Sequence, residues 1–336
     1  MPIFKLFSVV ASISLALLGL TGCGSDGDSS RLSVQLSWIK NSEFAGEYFA
    51  DTNGYYAEAG FGSVNLISGP TDTAAAILSG EAFVGIDNAV STAQSVTDGA
   101  PLKIIGATYQ KNPFSILSIR NRANIRSPRE MIGRRIGVQA GDNEALFDAF
   151  LRANNIDASR VTKVIVGYDP TPLVTGEVDG FLAFITNESI TVQNLGYEVT
   201  NMLFADNGLP FVAEVFVVTQ DSIDTERAAL KRFLKATIRG WKDALANPDE
   251  GARLAVEVYG ADLGLDINKE KQQSAAQNEL LIVSDETTAN GLFTISPALQ
   301  SQNIASLRTA GYDITAAELF ELSLLEEVYA ENPELR

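Results

Sequence analysis

No histidine occurs in this chain of 336 residues, and there is one cysteine, Cys23. Those two scarcities exclude much chemistry. Without imidazole there is no Ser-His or Cys-His nucleophile, and the usual nitrogen and sulfur ligands of zinc and copper are missing. A lone cysteine has no disulfide partner within the chain. Neither a metal nor an organic cofactor is expected. Basic residues are few as well: 25 Lys and Arg stand against 42 Asp and Glu, a formal charge of −17 at pH 7. A surface of that sign repels nucleic acid and anionic lipid headgroups. Among catalytic designs, acid/base work by paired carboxylates stays open.

The apolar run at residues 6–18 is too short to span a bilayer comfortably, which takes about 20 apolar residues. Lys5 precedes it, and Leu20-Thr21-Gly22-Cys23 follows. A charged start, a short apolar core and small residues before a cut site describe a secretory signal. The tetrapeptide resembles the lipobox of bacterial lipoproteins, which implies that Cys23 becomes the lipidated first residue once residues 1–22 are removed. Residues 23–30 are polar and small after the cysteine, and read as a flexible tether. The expectation is a lipoprotein on the cell membrane, facing the periplasm or the cell exterior. Its domain of about 300 residues is large enough to be stable through its core without disulfides.

From residue 31 short β-like runs alternate with helical runs, the signal of an α/β protein with mostly parallel sheets. Leu32, Val34 and Leu36 alternate with Ser33, Gln35 and Ser37, which predicts a strand with one buried face. Further strands are predicted at 64–67, 83–86, 102–109, 114–119, 135–139, 161–166, 180–185, 197–204 and 215–219. A long amphipathic helix over 225–246 carries Leu230, Phe233, Leu234, Ile238, Trp241 and Leu245 on one stripe and stops at Asn247-Pro248. The remainder reads as almost entirely helical. This order divides the domain into a first lobe, 31–117 with 214–336, and a second lobe, 118–213. Hinge crossings are predicted near 116–120 and 213–218. In open α/β sheets ligands bind beyond the carboxyl ends of strands, so the cleft between lobes is the expected site.

Trp38-Ile39-Lys40-Asn41-Ser42-Glu43-Phe44-Ala45-Gly46-Glu47-Tyr48-Phe49-Ala50 and the following Gly54-Tyr55-Tyr56-Ala57-Glu58-Ala59-Gly60 resemble the N-terminal signature of NMT1/THI5-like (SsuA-like) periplasmic binding proteins. So do Ser79-Gly80-Glu81-Ala82 before Val84-Gly85, Ile132-Gly133-Arg134-Arg135-Ile136-Gly137-Val138, and Leu173-Val174-Thr175-Gly176-Glu177-Val178-Asp179-Gly180. The resemblance spans roughly 31–260. It implies a type II two-lobed fold, a cleft that closes on ligand, and an ABC permease and ATPase as partners of a monomeric binding protein. Members similar in Glu43-Phe44-Ala45-Gly46 and Gly141-Asp142-Asn143-Glu144 serve pyrimidine precursors of thiamine, or riboflavin; others carry taurine, alkanesulfonates or nitrate. Fungal members that make the thiamine pyrimidine rely on a histidine and a cysteine-rich motif. This chain has neither, so an enzyme is not expected.

Trp38 and Asn41 follow the first strand, where a cleft residue belongs, with Glu43 in the same signature. Trp38 could stack on a planar ligand, a contact contributing about 0.5–1.5 kcal/mol beyond area burial, or fill the core under its loop. Tyr48, one turn from Phe44, fits a core stripe better than a pocket. Asp72, Asp87, Asn88, Asn143, Glu144, Asn187 and Glu188 fall at strand ends or helix starts. An anion site would leave such helix starts open to Ser, Thr or Gly. Carboxylates there repel a sulfonate and accept hydrogen bonds from N–H groups. Each alone could equally be an acid favoured by the helix dipole. Tyr168 and Phe184, with Trp38, would give a flat ligand two apolar walls. Lys40 and Lys111 are the nearby cations that keep an anionic ligand open. The pattern points first to a planar nitrogen heterocycle with N–H donors, an aminopyrimidine of the thiamine type, and next to an isoalloxazine. A sulfonate or nitrate binder and a carboxylate enzyme on the same fold are the alternatives.

Overall fold

In the computed structural model, which describes residues 31–336, the chain forms two five-stranded sheets, each covered by helices. The expected signal segment, Cys23 and tether lie outside the described residues. The strands are β1 (Arg31–Gln35), β2 (Ser63–Ile67), β3 (Val84–Asp87), β4 (Leu102–Tyr109), β5 (Phe114–Ile119), β6 (Arg135–Gln139), β7 (Thr162–Val166), β8 (Gly180–Phe184), β9 (Val199–Leu203) and β10 (Ala213–Thr219). The first sheet has the order β2-β1-β3-β10-β4 and the second β7-β6-β8-β5-β9.

The two sheets repeat one plan. Three parallel strands (β2-β1-β3, β7-β6-β8) are joined by helical connections, as parallel pairing requires. An antiparallel strand then completes each sheet's centre, and it comes from the chain just after it crosses over: β10 in the first sheet, β5 in the second. The predicted boundary at 117 is therefore shifted. β5 pairs with β8 and β9 throughout and belongs to the second sheet, so the crossings are residues 110–113 and 204–212, each just before the segment predicted from sequence. An apolar strand such as Phe114–Ile119, buried along its whole length, carries no mark of which sheet it joins.

A second correction concerns β1. Ser33 and Gln35 are buried along with Leu32 and Val34, so neither face of β1, the strand between β2 and β3, is open to solvent. The alternation in sequence marks two faces but not an exposed one. Gln35 meets burial by donating to the carbonyls of Leu36, at 2.9 Å, and Ile67.

The long helix Arg227–Ala246 buries Leu230, Phe233, Leu234, Ile238 and Trp241. It ends at Asn247, and Pro248 opens the next helix, Pro248–Leu254, where a missing N–H costs nothing. The helix Ala45–Thr52 crosses it at backbone contact. A Cβ on Gly240 would lie 2.1 Å from the Gly46 carbonyl oxygen, and one on Gly46 would lie 2.2 Å from the Trp241 ring. Two glycines thus bring the Asn41–Glu47 segment down onto the long helix and fix where Glu43 points. Among the described residues no helix is long and apolar enough to cross a membrane.

Candidate functional site

The carboxyl ends of β1, β3, β6 and β8 face one another across the gap between the sheets. The antiparallel β5 and β10 present their amino ends on the same side. Together they enclose a cavity of about 450 Å3, counting its mouth, lined by Ser37, Trp38, Glu43, Asp87, Asn88, Phe114, Gln139, Asp142, Asn143, Leu182, Ala183, Phe184, Asn187, Glu188 and Glu214. The loop after β1 is held by the loop after β2: the Gly69 N–H donates to the Trp38 carbonyl at 2.8 Å. A Cβ on Gly69 would lie 2.6 Å from the Leu36 carbonyl oxygen.

Five lining residues are carboxylic acids, and none is Lys or Arg. Their charges are handled by withdrawal from water and by hydrogen bonds. Ser37 Oγ lies 2.7 Å from Glu214 Oε2 and 3.3 Å from Glu43 Oε1. One hydroxyl proton can serve only one of them. Glu43 and Glu214 are also within hydrogen-bonding reach of each other. Burial, and then the neighbouring Glu214, push the Glu43 carboxyl well above the usual range. Burial lifts Glu214 to about 7. Two buried carboxyls with no facing cation hold a proton between them. Glu214 has a backbone φ of +48°, a left-handed conformation that costs a side chain of this type about 1–3 kcal/mol. It persists in a strand whose register shifts just beyond, between Phe216 and Val217.

Glu188 Oε2 accepts from the Phe184 N–H and Oε1 from Asn187 Nδ2, both at 2.8 Å, and burial raises it to about 7. Asp87 accepts from the Asn88 N–H at 2.7 Å and Thr92 Oγ1 at 3.0 Å; burial again lifts it well above the usual value. Asp142 is raised to about 6 by burial, and joins the lobes by accepting from the Thr73 N–H while its carbonyl accepts from Ser91 Oγ at 2.9 Å. Phe114 and Phe184 meet edge to face with centroids 4.5 Å apart, opposite Trp38.

Of the residues expected from sequence, Trp38, Glu43, Asp87, Asn88, Asn143, Phe184, Asn187 and Glu188 line this cavity. Four do not. Asn41 caps the turn Ser42–Phe44, accepting from the Glu43 N–H. Asp72 caps the helix Thr73–Leu78 through the Ala75 N–H. Glu144 faces Lys163 at 3.7 Å on the second lobe's surface. Tyr168 is exposed and lines an outer groove that shares Trp38, Asn187 and Glu188 with the cavity. The second apolar wall is Phe114, not Tyr168. Lys40 and Lys111 are not in the lining. Phe114 and Glu214 were missed because reasoning from carboxyl ends overlooks antiparallel strands. Gln139 and Asp142, flanking the β6 turn, were within reach of that reasoning. Among the described residues no cluster of three or more His, Cys, Asp or Glu is arranged to hold a metal.

The sequence profile described as NMT1/THI5 like matches residues 41–251. The riboflavin-binding protein RibY of Chloroflexus aurantiacus is 28% identical over 290 residues, 84% of this chain and 81% of the relative. Among solved structures, the periplasmic nitrate-binding protein NrtA of Synechocystis superposes with a TM-score of 0.66 at 13% identity, covering 91% of this chain and 89% of its own. The aliphatic sulphonate binding protein SsuA of Escherichia coli does so with a TM-score of 0.60 at 13% identity, covering 83% and 86%. Both share the two-lobed periplasmic-binding-protein fold with this chain.

Proposed function

The chain belongs to the NMT1/THI5 like family, and on that premise we propose that it captures a neutral, planar nitrogen heterocycle for an ABC importer. The observation that carries this reading is the cavity lining: five carboxyl groups, four of them buried, aromatic side chains from both lobes, and no Lys or Arg. Such a lining disfavours an anion and suits a flat molecule rich in N–H and O–H donors. A flavin is the first candidate, supported by similarity to the Chloroflexus relative along most of both chains. Its ring would stack against Trp38 and Phe114 once the lobes part to admit it, and its hydroxyl-bearing chain would offer donors to the acids. The thiamine pyrimidine is the second, favoured by carboxylates that accept from a ring amine. Similarity to nitrate and sulphonate binders is at the level of fold, and the basic groups an anion needs are absent from the lining. Mass spectrometry of the small molecule that co-purifies tests the reading: a flavin or an aminopyrimidine is expected, and a sulfonate overturns it.

The delivery role needs the protein at the membrane. Cys23, closing the lipobox, is proposed as the lipidated anchor. Cys23→Ser should leave the membrane fraction or stay unprocessed; normal cleavage with membrane retention contradicts the anchor. A carboxylate enzyme on the same fold is the reading from another class, and conversion of a bound heterocycle on incubation would favour it.

A further inference from the structure

The helix Ile267–Gln277 lies beyond the residues that the family profile matches, yet it reaches the cavity's edge. It is fastened to the first lobe at three points. Glu270 Oε2 accepts from the Ser42 N–H at 2.8 Å, Gln277 Nε2 donates to the Ser42 carbonyl at 2.8 Å, and Tyr109 Oη donates to Gln277 Oε1 at 2.8 Å. From this base Lys269 extends across the mouth of the cleft. An ammonium group has three N–H donors, and all three are used. Glu270 Oε1, at 2.9 Å, and Gln273 Oε1 accept from the same helix, and Asn187 Oδ1 accepts from the second lobe. The side chain is largely buried, and Glu270 is wholly so. Lys269 is the one basic residue in the outer groove at the mouth.

What Lys269 holds matters for the site. Asn187 accepts from Lys269 through Oδ1 and donates through Nδ2 to Glu188 Oε1, while Glu188 Oε2 receives the Phe184 N–H. A chain of hydrogen bonds therefore runs from the first lobe, through Lys269 and Asn187, to a carboxylate in the cavity wall of the second lobe. We propose that Lys269 is a positioning residue: it clasps the two lobes across the mouth and fixes Asn187 and Glu188 in the geometry that meets the ligand. This rests on the cavity being the ligand site. The clasp holds the mouth against opening, so its loss should show most in the rate of dissociation.

The test compares Lys269→Met, which keeps the length of the side chain and removes its charge, with Lys269→Arg and with Lys271→Met. Lys271 is on the same helix but pairs with Asp249 at the surface. Riboflavin and the thiamine pyrimidine serve as probes, with rates from stopped-flow fluorescence. Lys269→Met should dissociate roughly 10- to 100-fold faster, the loss of one hydrogen bond to a charged group, with association nearly unchanged. Lys269→Arg should recover most of the slow rate, and Lys271→Met should match the wild type. Hydrogen exchange of the ligand-free protein gives a readout that needs no probe. The Phe184 amide should exchange faster in Lys269→Met and be restored in Lys269→Arg, while amides of β1 keep their protection. An unchanged dissociation rate, or an unchanged Phe184 amide, overturns the clasp. A wild type that binds neither probe counts against the proposed ligand class, and the exchange measurement still decides the clasp.

Discussion

Glu214 in the cavity and Glu327 on the helix Ser323–Glu331 are one residue type in opposite settings. Glu214 is buried beside Glu43 and Ser37 with no cation near, and burial lifts it to about 7. Glu327 is half-exposed and grips Arg227 at 2.6 Å and Lys231 at 3.0 Å, and those two hydrogen bonds bring it down to about 2. Cations of this acidic chain pair with acids on its outside, as Arg253 does with Glu250 and Glu257, and none lines the cavity. The cavity is left with acids that hold protons. A negative sequence thus yields a pocket whose acids Glu188 and Glu214 titrate near neutral pH, so that they offer donors as well as acceptors to the uncharged polar ring proposed above.

The comparison is sharpened first by deletion. Glu214→Ala should weaken binding of the proposed heterocycle by roughly 10- to 150-fold, the loss of one charge-assisted hydrogen bond. Glu327→Ala should leave affinity unchanged, because an exposed pair contributes little even to stability. Calorimetric titration of both variants decides this, and equal losses would break the contrast between inside and outside.

The two settings also carry opposite pH signatures. Glu188 has an ordinary value of 4.5 and is raised to about 7 in the fold, so the folded state binds its proton more tightly than the unfolded chain. Its contribution is fully present below pH 4.5 and is lost as pH rises through 7, on the order of 3 kcal/mol at about 1.4 kcal/mol per pH unit. Glu327 has the reverse sign: its contribution is present above pH 4.5 and is lost as pH falls through 2. The ligand-free melting temperature should therefore decline from pH 5 to pH 8, and Glu188→Gln should flatten that decline. A melting temperature that rises steadily to pH 8 would contradict the cavity assignments.

Smaller effects are expected at the aromatic wall and none beyond it. Trp38→Ala should weaken binding about 2- to 10-fold, the worth of one stacking contact. Glu144→Gln, which loosens an ion pair with Lys163 at the surface, should bind as the wild type does. A loss at Glu144 comparable to that at Trp38 would move the ligand away from the cavity.

Much of this was legible in the residues. Strands that alternate or run apolar, and helices bounded by Asn88, Asp72 and Asn247-Pro248, are local signals, and the structure places elements there. Asp87, Asn88, Asn187 and Glu188 could be put at the cleft because each follows a parallel strand. Partner choice was not legible. Whether the Phe114–Ile119 strand joins the first or second sheet depends on contacts with Leu182 and Met202, far away in sequence. With that direction unknown, Phe114 and Glu214 could not be placed at the cleft. Asp72 and Asn41 show the converse failure: an acid or amide at a helix start looks the same whether it caps its own turn or faces a ligand. Lys269 lies in helices where no motif stood out, and its reach to Asn187 exists only once the lobes meet.

The central claim is that a cavity lined by acids, with no Lys or Arg in its lining, selects a neutral planar heterocycle. Titration calorimetry of the wild type against riboflavin, the thiamine pyrimidine, taurine and nitrate tests it most directly. Saturable binding of one of the two heterocycles, with taurine and nitrate silent, is the predicted result. Saturable binding of taurine or nitrate, with both heterocycles silent, would contradict it.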